Sequence, residues 1–373
     1  MKVIHLVLGK ANPDRMNGVN KVAHHLAMSQ HELGVDVEIW GITKSPDATV
    51  YPRPFPTILF RAQPFYRDLE PKLLHAISKQ KKGTVFHVHG AFITDFYKVT
   101  RLLNDLKIPY IYTPHGAFNK VALEKNKWVK KVYINRYEKS ILKDARKVQF
   151  LGQSEFDHIS TIVRLQNKVV VPNGQDFGEL EFEFHAMQRR AEPVFGFCGR
   201  LDIYYKGLDT LLDGFASYCQ KGGEGELWLI GDGPDRPKLE AQCKSLKITD
   251  RVQFMGARYG KDKLNRIANM DLFCHPSRSE GSPTAVLEAG ALGRPLMVST
   301  ATNVGVQVEQ HQCGLHLRQS NAKSIEKALF TFLKMYKEKE HPLLGERARE
   351  MVSNEFNWKA ISRRLIEIYS AKG

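Results

Sequence analysis

Twice along this chain, short β-rich runs alternate with stretches of helical period, and no other feature limits the fold as tightly. In the first half the runs fall at 2–8, 35–42, 84–88, 110–113, 148–151 and 169–171, with helical stretches such as 19–33 and 97–106 between them. The second half restarts the pattern at 194–198, 226–230, 252–255, 272–275 and 296–299, with helical stretches at 207–219, 236–246, 261–268 and 284–292. Strands joined through helices pair in parallel, because each crossover returns the chain to the same end of the sheet. The reading is therefore α/β, with two Rossmann-like, doubly wound domains. A length of 373 residues suits two such cores better than one. Periodicity lapses over 178–192, so the domains are drawn as 1–180 and 181–355. An apolar stripe of Trp358, Ile361, Leu365, Ile366 and Tyr369 predicts a last helix within 356–373 that packs back on the first domain. Doubly wound domains hold ligands at the carboxyl ends of their strands, so the site is expected in a central cleft that the two domains face.

Charge narrows the partners. The formal net charge is +15, and residues 1–180 hold most of it, with 27 Lys and Arg against 16 Asp and Glu. Such a bias concentrates anions, whether nucleic acid, phospholipid or a diphosphate-bearing substrate, and sign alone does not choose among them. No apolar run reaches the roughly 18 residues of a membrane span, and the start lacks the apolar core and cleavage site of a signal peptide. Five widely spaced cysteines with no C-x-x-C pair suit reduced thiols and argue against a zinc or disulfide framework. The expected location is the cytoplasm, including the inner face of the cell membrane as a peripheral protein.

Chemistry concentrates in the second half. The segment from Cys198 to Asp209 leaves a strand and enters a helix, with Arg200 and Lys206 flanking the loop. Backbone N–H groups at such a loop already favour an anion, and two cations there would hold a diphosphate and neutralise it as it leaves. Two solvated loop cations are the other reading. Glu280 follows the strand at 272–275, and Glu288 lies two turns into the next helix. Two such carboxylates suit a sugar hydroxyl pair and a ribose hydroxyl pair, with the amides from Gly281 to Val286, except that of Pro283, open to phosphate oxygens. Acids that merely complement a helix dipole are the alternative.

In order and spacing, Gly199-Arg200, Lys206-Gly207, Gly231-Asp232-Gly233-Pro234 and the Glu280/Glu288 pair resemble the donor half of the family 4 glycosyltransferases, which have the GT-B fold. The likeness extends over nearly the whole chain through Gly18, Thr113-Pro114-His115-Gly116, and Pro172-Asn173-Gly174 followed by Asp176. It implies that Arg200 and Lys206 bind the diphosphate, Glu280 the donor sugar and Glu288 the ribose. Gly281, Ser282, Pro283 and Thr284 match the loop against sugar and phosphate, and Gly231 stands near the nucleotide. His115 matches a histidine beside the transferred sugar, and Gly18 a loop approaching the diphosphate. His115, Arg200, Lys206 and Glu280 are the catalytic candidates. Two places depart from the pattern: Asn17-Gly18 stands where two glycines are frequent, and Ser282-Pro283 replaces a frequent Phe-Gly.

The resemblance implies a retaining enzyme that moves a hexose or N-acetylhexosamine from a nucleotide diphosphate sugar, a uridine diphosphate sugar first and GDP-mannose next. The acceptor it implies is a saccharide or lipid-linked saccharide in surface polysaccharide synthesis. No cofactor and no metal are expected, since the sequence has no Asp-x-Asp pair and Arg200 with Lys206 would take a cation's place. Lacking an identifiable nucleophile for a covalent intermediate, retention is expected through same-face attack within an ion pair. A nucleotide-sugar hydrolase or epimerase is the rival enzyme class. A nucleic-acid-binding protein is suggested by charge alone, without any recognition signature, so nucleic acid is not an expected partner.

Two further features read less directly. His87 and His89 end a strand; a structural role precedes metal binding, and His89 is placed on the acceptor side. Residues 119–147 carry ten Lys/Arg and three Asp/Glu, with Trp128, Val129 and Val132 interleaved. With Tyr133, Ile141 and Leu142 also among the interleaved apolar residues, they read as a basic amphipathic helix, with Lys127, Trp128, Lys130 and Lys131 suited to an anionic membrane surface; a core helix with a solvated basic face is the alternative.

Overall fold

The structure, a computed structural model, describes residues 1–13, 18–64, 68–124, 126–175, 190–280 and 283–371. The expected sites Gly281 and Ser282, with Asn17, Asp176 and much of the 178–192 stretch, lie outside the described residues. The chain divides into two compact units, Met1–Gly174 with Trp358–Gly373, and Gln175–Asn357.

The first unit is built on seven parallel strands: β1 (Lys2–Leu8), β2 (Asp36–Thr43), β3 (Thr57–Arg61), β4 (Thr84–His89), β5 (Tyr110–Thr113), β6 (Lys147–Phe150) and β7 (Lys168–Val170). Their order is β3-β2-β1-β4-β5-β6-β7, so the winding reverses between β1 and β4. A parallel strand covered on both faces buries every residue, as all six of β4 are. Alternate residues serve different cores. Ile4, Leu6, Phe86, Val88, Tyr110 and Tyr112 join one cluster; Val3, Val85 and Ile111 pack under Leu26 and, from the helix Trp358–Ser370, under Ile361, Leu365 and Tyr369.

The second unit repeats the plan with β8 (Val194–Cys198), β9 (Glu226–Ile230), β10 (Val252–Gly256), β11 (Leu272–His275), β12 (Leu296–Ser299) and β13 (Gly314–Leu317). Their order is β10-β9-β8-β11-β12-β13, again parallel, with the reversal between β8 and β11. The fold class expected from the alternation is thus the fold observed. The alternation did not reveal β3 and β13, two edge strands with a single buried residue each, Phe60 in one and Leu317 in the other, although it did reveal the other two edges, β7 and β10.

The basic stretch differs from the single helix expected over 119–147. It is broken into Lys120–Glu124, Lys127–Tyr133, a π turn at Ile134–Glu138 and Lys139–Asp144. Asn126, in the left-handed region at φ 58°, separates the first two pieces.

Candidate functional site

In a doubly wound sheet, ligands bind beyond the strand ends where the winding reverses. In the second unit those ends are Cys198 of β8 and His275 of β11, and the expected site residues follow each of them. After β8, Gly199 and Arg200 lead to a one-turn helix, Ile203–Lys206, capped by the Asp202 carboxylate on the Tyr205 N–H at 3.0 Å. Gly207 ends that turn at φ 65°, and a Cβ there would lie 2.6 Å from the Pro276 carbonyl. The glycine therefore lets the two loops close on each other. Arg278 clasps them further, donating to the Ile203 carbonyl (2.7 Å), Asp209 (2.9 Å) and Thr210 (2.6 Å).

This close approach brings Lys206 and Glu280 together across 74 positions of sequence. Glu280 Oε1 accepts from Lys206 Nζ at 2.5 Å, from His275 Nε2 at 2.8 Å and from Ser277 Oγ at 2.8 Å. Burial alone would raise the Glu280 carboxyl; hydrogen bonding from His275 and the Lys206 charge outweigh it and hold the group well below the usual carboxylate range. His275 stacks against Phe197 and Phe273, and burial lowers its pKa against the pull of Glu280. A neutral ring with its proton on Nε2 fits both observations, since its buried Nδ1 has no partner among the described residues. The loop backbone is pinned as well: Asn303 donates to the Glu280 carbonyl at 3.2 Å, and Ser299 to that of Ser277 at 2.5 Å.

The second expected carboxylate, Glu288, sits in the helix Thr284–Ala291 and accepts from Lys263 Nζ at 2.6 Å. Both charges act on the Cys198 thiol, which burial pushes up to about 12, so this pair lies near the end of β8. Arg200 is exposed and makes no ion pair among the described residues; its charge reaches Asp235, whose carboxylate caps the Ile203 N–H at 3.0 Å. Gly231 is fixed by contact: at φ 139°, a Cβ would fall 1.8 Å from the Gly199 carbonyl. Pro283 is buried immediately before the helix, and Thr284 is exposed at its first position.

The structure thus joins Lys206 to Glu280 and gives Glu288 a different lysine. Sequence reading missed Lys263, His275, Ser277 and Arg278. His275 and Ser277 carried a usable signal, standing within five residues of Glu280, whereas Lys263 sits on a separate helix, Gly260–Ala268.

In the first unit, Gly18 opens the helix Gly18–Glu32 and is exposed. His115 follows β5 at φ 55°, a conformation that few residues other than glycine adopt. It is half-buried, and its Nε2 lies 3.0 Å from His89 Nδ1. His89, placed on the acceptor side by its sequence, is instead 1% exposed and has both ring nitrogens on other histidines, so it backs His115 rather than lining a surface. Ligand atoms of His5, His87 and His89 lie within 4.8 Å of one another, a spacing compatible with a metal. The rings of His87 and His89, however, stack 4.1 Å apart at 24°, and their in-plane lone pairs cannot aim at one point.

On the basic stretch, Trp128, Val129 and Val132 are 77%, 70% and 68% exposed. Lys127 and Lys131 are exposed beside them. Lys130 departs from the expected outward face: it donates to the Ala122 carbonyl and lies 5.2 Å from the Phe92 ring centre. Among the described residues no helix is long and apolar enough to cross a membrane.

Residues 16–178 match the family model Glycosyltransferase Family 4, and residues 181–351 match Glycosyl transferases group 1. One of the chains of human phosphatidylinositol N-acetylglucosaminyltransferase is 22% identical over 87% of this chain and 63% of its own length. A putative colanic acid biosynthesis glycosyltransferase, WcaL of Escherichia coli, is 24% identical over 44% of this chain and 42% of its own. The chain therefore spans less than two thirds of either curated relative. Among solved structures, Anabaena HepE in complex with UDP superposes with a TM-score of 0.70 at 17% identity, over 99% of this chain and 100% of that one.

Proposed function

The chain belongs to the family 4 glycosyltransferases of GT-B type, and from that premise we propose that it transfers a hexose or N-acetylhexosamine from a nucleotide diphosphate sugar. A UDP-sugar is the favoured donor, in line with the UDP bound to HepE, and GDP-mannose the next. The observation that carries the reading is the Lys206–Glu280–His275–Ser277 cluster at the reversal point of the second sheet.

A carboxylate held ionised is a strong acceptor for sugar hydroxyls. Glu280 is such a group, fixed by three donors before any ligand arrives. Lys206 neutralises it and is close enough to share its charge with an incoming phosphate oxygen. Arg200, exposed nearby in the chain, is the second cation for a leaving diphosphate, and together they replace a metal ion. Glu288, ordered by Lys263, takes the ribose, while Gly231, Pro283 and Thr284 serve the phosphates. His115 keeps a contact to the transferred sugar. Departure and attack on one face of the sugar then give retention, the leaving phosphate accepting the proton of the incoming hydroxyl.

The acceptor is a saccharide or lipid-linked saccharide. The exposed Trp128, Val129 and Val132 beside Lys127 and Lys131 suit an anionic bilayer surface on which such an acceptor is presented. The test is a screen of UDP-glucose, UDP-galactose, their N-acetyl forms and GDP-mannose for donor consumption, with and without membrane extract and EDTA. Consumption of one donor that persists in EDTA, yields a retained anomer and disappears in Lys206→Ala supports the proposal. Full activity of Lys206→Ala would place the chemistry elsewhere, and an inverted product would remove the same-face mechanism.

A further inference from the structure

One face of the first sheet carries a polar chain through an otherwise apolar layer. The helices Gly18–Glu32 and Trp358–Ser370 cover that face, with Val3, Val85, Ile111, Leu26, Ile361 and Leu365 around it. His5 pairs with His87 in the strand register and His89 with Thr113, which sets these side chains on one side of the sheet. Burial holds the rings neutral: His5 and His115 are pushed down to about 4, and His87 and His89 lie well below the ordinary imidazole value, lowered first by burial and further by the charge that His5 and His115 would carry. A neutral imidazole has one N–H and one lone pair, so each ring passes a direction to the next.

A single acceptor sets that direction. The Val171 carbonyl can only accept, so Gln149 turns its amide nitrogen to it (2.9 Å) and offers Oε1 to Thr113. The Thr113 hydroxyl donates to that oxygen (2.9 Å) and must therefore accept from His87 Nε2–H (2.7 Å). His87 Nδ1 is left as a lone pair and accepts from the Tyr369 hydroxyl (2.7 Å). With its proton committed, the Tyr369 oxygen accepts from Gln30 Nε2 (3.1 Å), which turns Gln30 Oε1 to His5 Nε2–H (3.0 Å). His5 Nδ1 then accepts from His89 Nε2–H (2.9 Å), and His89 Nδ1 from His115 Nε2–H (3.0 Å). Every proton in the sequence points the same way. Reversing any one ring would set two donors or two lone pairs face to face.

We propose that this chain is a tautomer relay, in which Gln149, Thr113, His87, Tyr369, Gln30, His5 and His89 are positioning residues that hold His115 as the Nε2–H imidazole and keep its Nδ1 an acceptor for a hydroxyl of the transferred sugar. The role toward sugar rests on the function proposed above; the relay itself does not. Its farthest tie is the C-terminal helix, whose Tyr369 joins two segments of hydrogen bonds that otherwise do not meet.

The test reads ring nitrogens by long-range ¹H–¹⁵N correlation in the full-length labelled protein at pH 7, with His115→Gln assigning the His115 signals. His115 is expected as pure Nε2–H. Tyr369→Phe separates the rings from their anchoring carbonyl, so His115 becomes a mixture of tautomers. The kcat for the UDP-sugar found in the donor screen falls about tenfold, the effect of one hydrogen bond, while the donor KM changes less. Thr113→Val breaks the relay at a second point with the same result, and Thr113→Ser, which keeps the hydroxyl, restores a single tautomer and the rate. His115 found as Nδ1–H in the unmodified protein, or still pure Nε2–H in both Tyr369→Phe and Thr113→Val, overturns the relay. A relay that behaves as expected in a protein consuming no nucleotide sugar would instead overturn the transferase reading, so the two failures are distinct.

Discussion

Replacing Glu280 by Gln changes one atom and almost no volume, so its effects isolate the charge. The glutamine can still accept from Lys206, His275 or Ser277, but Lys206 loses its counter-charge. The Glu280 side chain is 9% exposed and that of Lys206 19%, so the pair is mostly removed from water. Breaking a fully buried pair costs about 3–5 kcal/mol, and the remaining exposure of Lys206 lowers the expectation to about 2–3 kcal/mol. Titration gives a matching size. A carboxyl at about 2 in the fold against 4.5 in the open chain favours the folded state by at most about 3 kcal/mol, because a neutral His275 withholds the charge that supplies part of that shift. Because the folded value is depressed, this contribution is complete above pH 4.5 and disappears as pH falls through 2. Denaturant unfolding of the parent and Glu280→Gln should therefore differ by about 2–3 kcal/mol at pH 7 and converge as pH falls through that window. Donor consumption should drop about 10–100-fold in kcat/KM, the loss of a charge-assisted acceptor for sugar hydroxyls. Parallel stability profiles at every pH would refute the electrostatic account of the cluster. Unaltered kcat/KM would refute its role toward the donor.

Three further perturbations test separate parts of the molecule. Gly231→Ala forces a Cβ to within 1.8 Å of the Gly199 carbonyl at φ 139°, so it should cost more than about 4 kcal/mol in denaturant unfolding, against about 1 kcal/mol for Gly222→Ala, which meets open space. Joint replacement of Trp128 by Ala and Val129 by Ser should reduce pelleting with anionic vesicles while changing stability by less than about 0.5 kcal/mol, since both side chains are exposed. Glu138 is fully buried, accepting from the Phe92 N–H (2.6 Å) and the Tyr112 hydroxyl (2.7 Å), and burial pushes it up to about 7. The fold therefore loses stability as pH rises from 4.5 to 7, the interval in which the open chain has ionised and the fold has not. Glu138→Gln should remove about 3 kcal/mol of that pH dependence in denaturant unfolding measured from pH 4 to 8.

What the sequence made legible follows from where each residue's partners lie. Interior parallel strands announce themselves because both faces are buried, as in β4, β8 and β11; the edges β3 and β13 meet water and were missed, whereas the edges β7 and β10 were read despite meeting it too. Arg200, Lys206, Glu280 and Glu288 could be singled out because each lies in the loop or helix that follows a strand, a local property. Their pairing was not local: Glu280 took Lys206 across 74 residues, and Glu288 took Lys263 from another helix. The histidines show the limit most clearly. A His-x-His in a strand places both rings on one side, and the sequence reveals that much, but it does not say what covers them. Facing water, His87 and His89 would titrate near the ordinary imidazole value and each would choose its tautomer alone. Packed under a helix that enters from the other end of the chain, with Tyr369 282 residues from His87 and 339 from Gln30, the same rings become neutral and bound to one another's choice. The directed hydrogen-bond chain behind His115 is thus a product of the helix Trp358–Ser370 returning to the first sheet, and no property of the strands taken alone could have disclosed it.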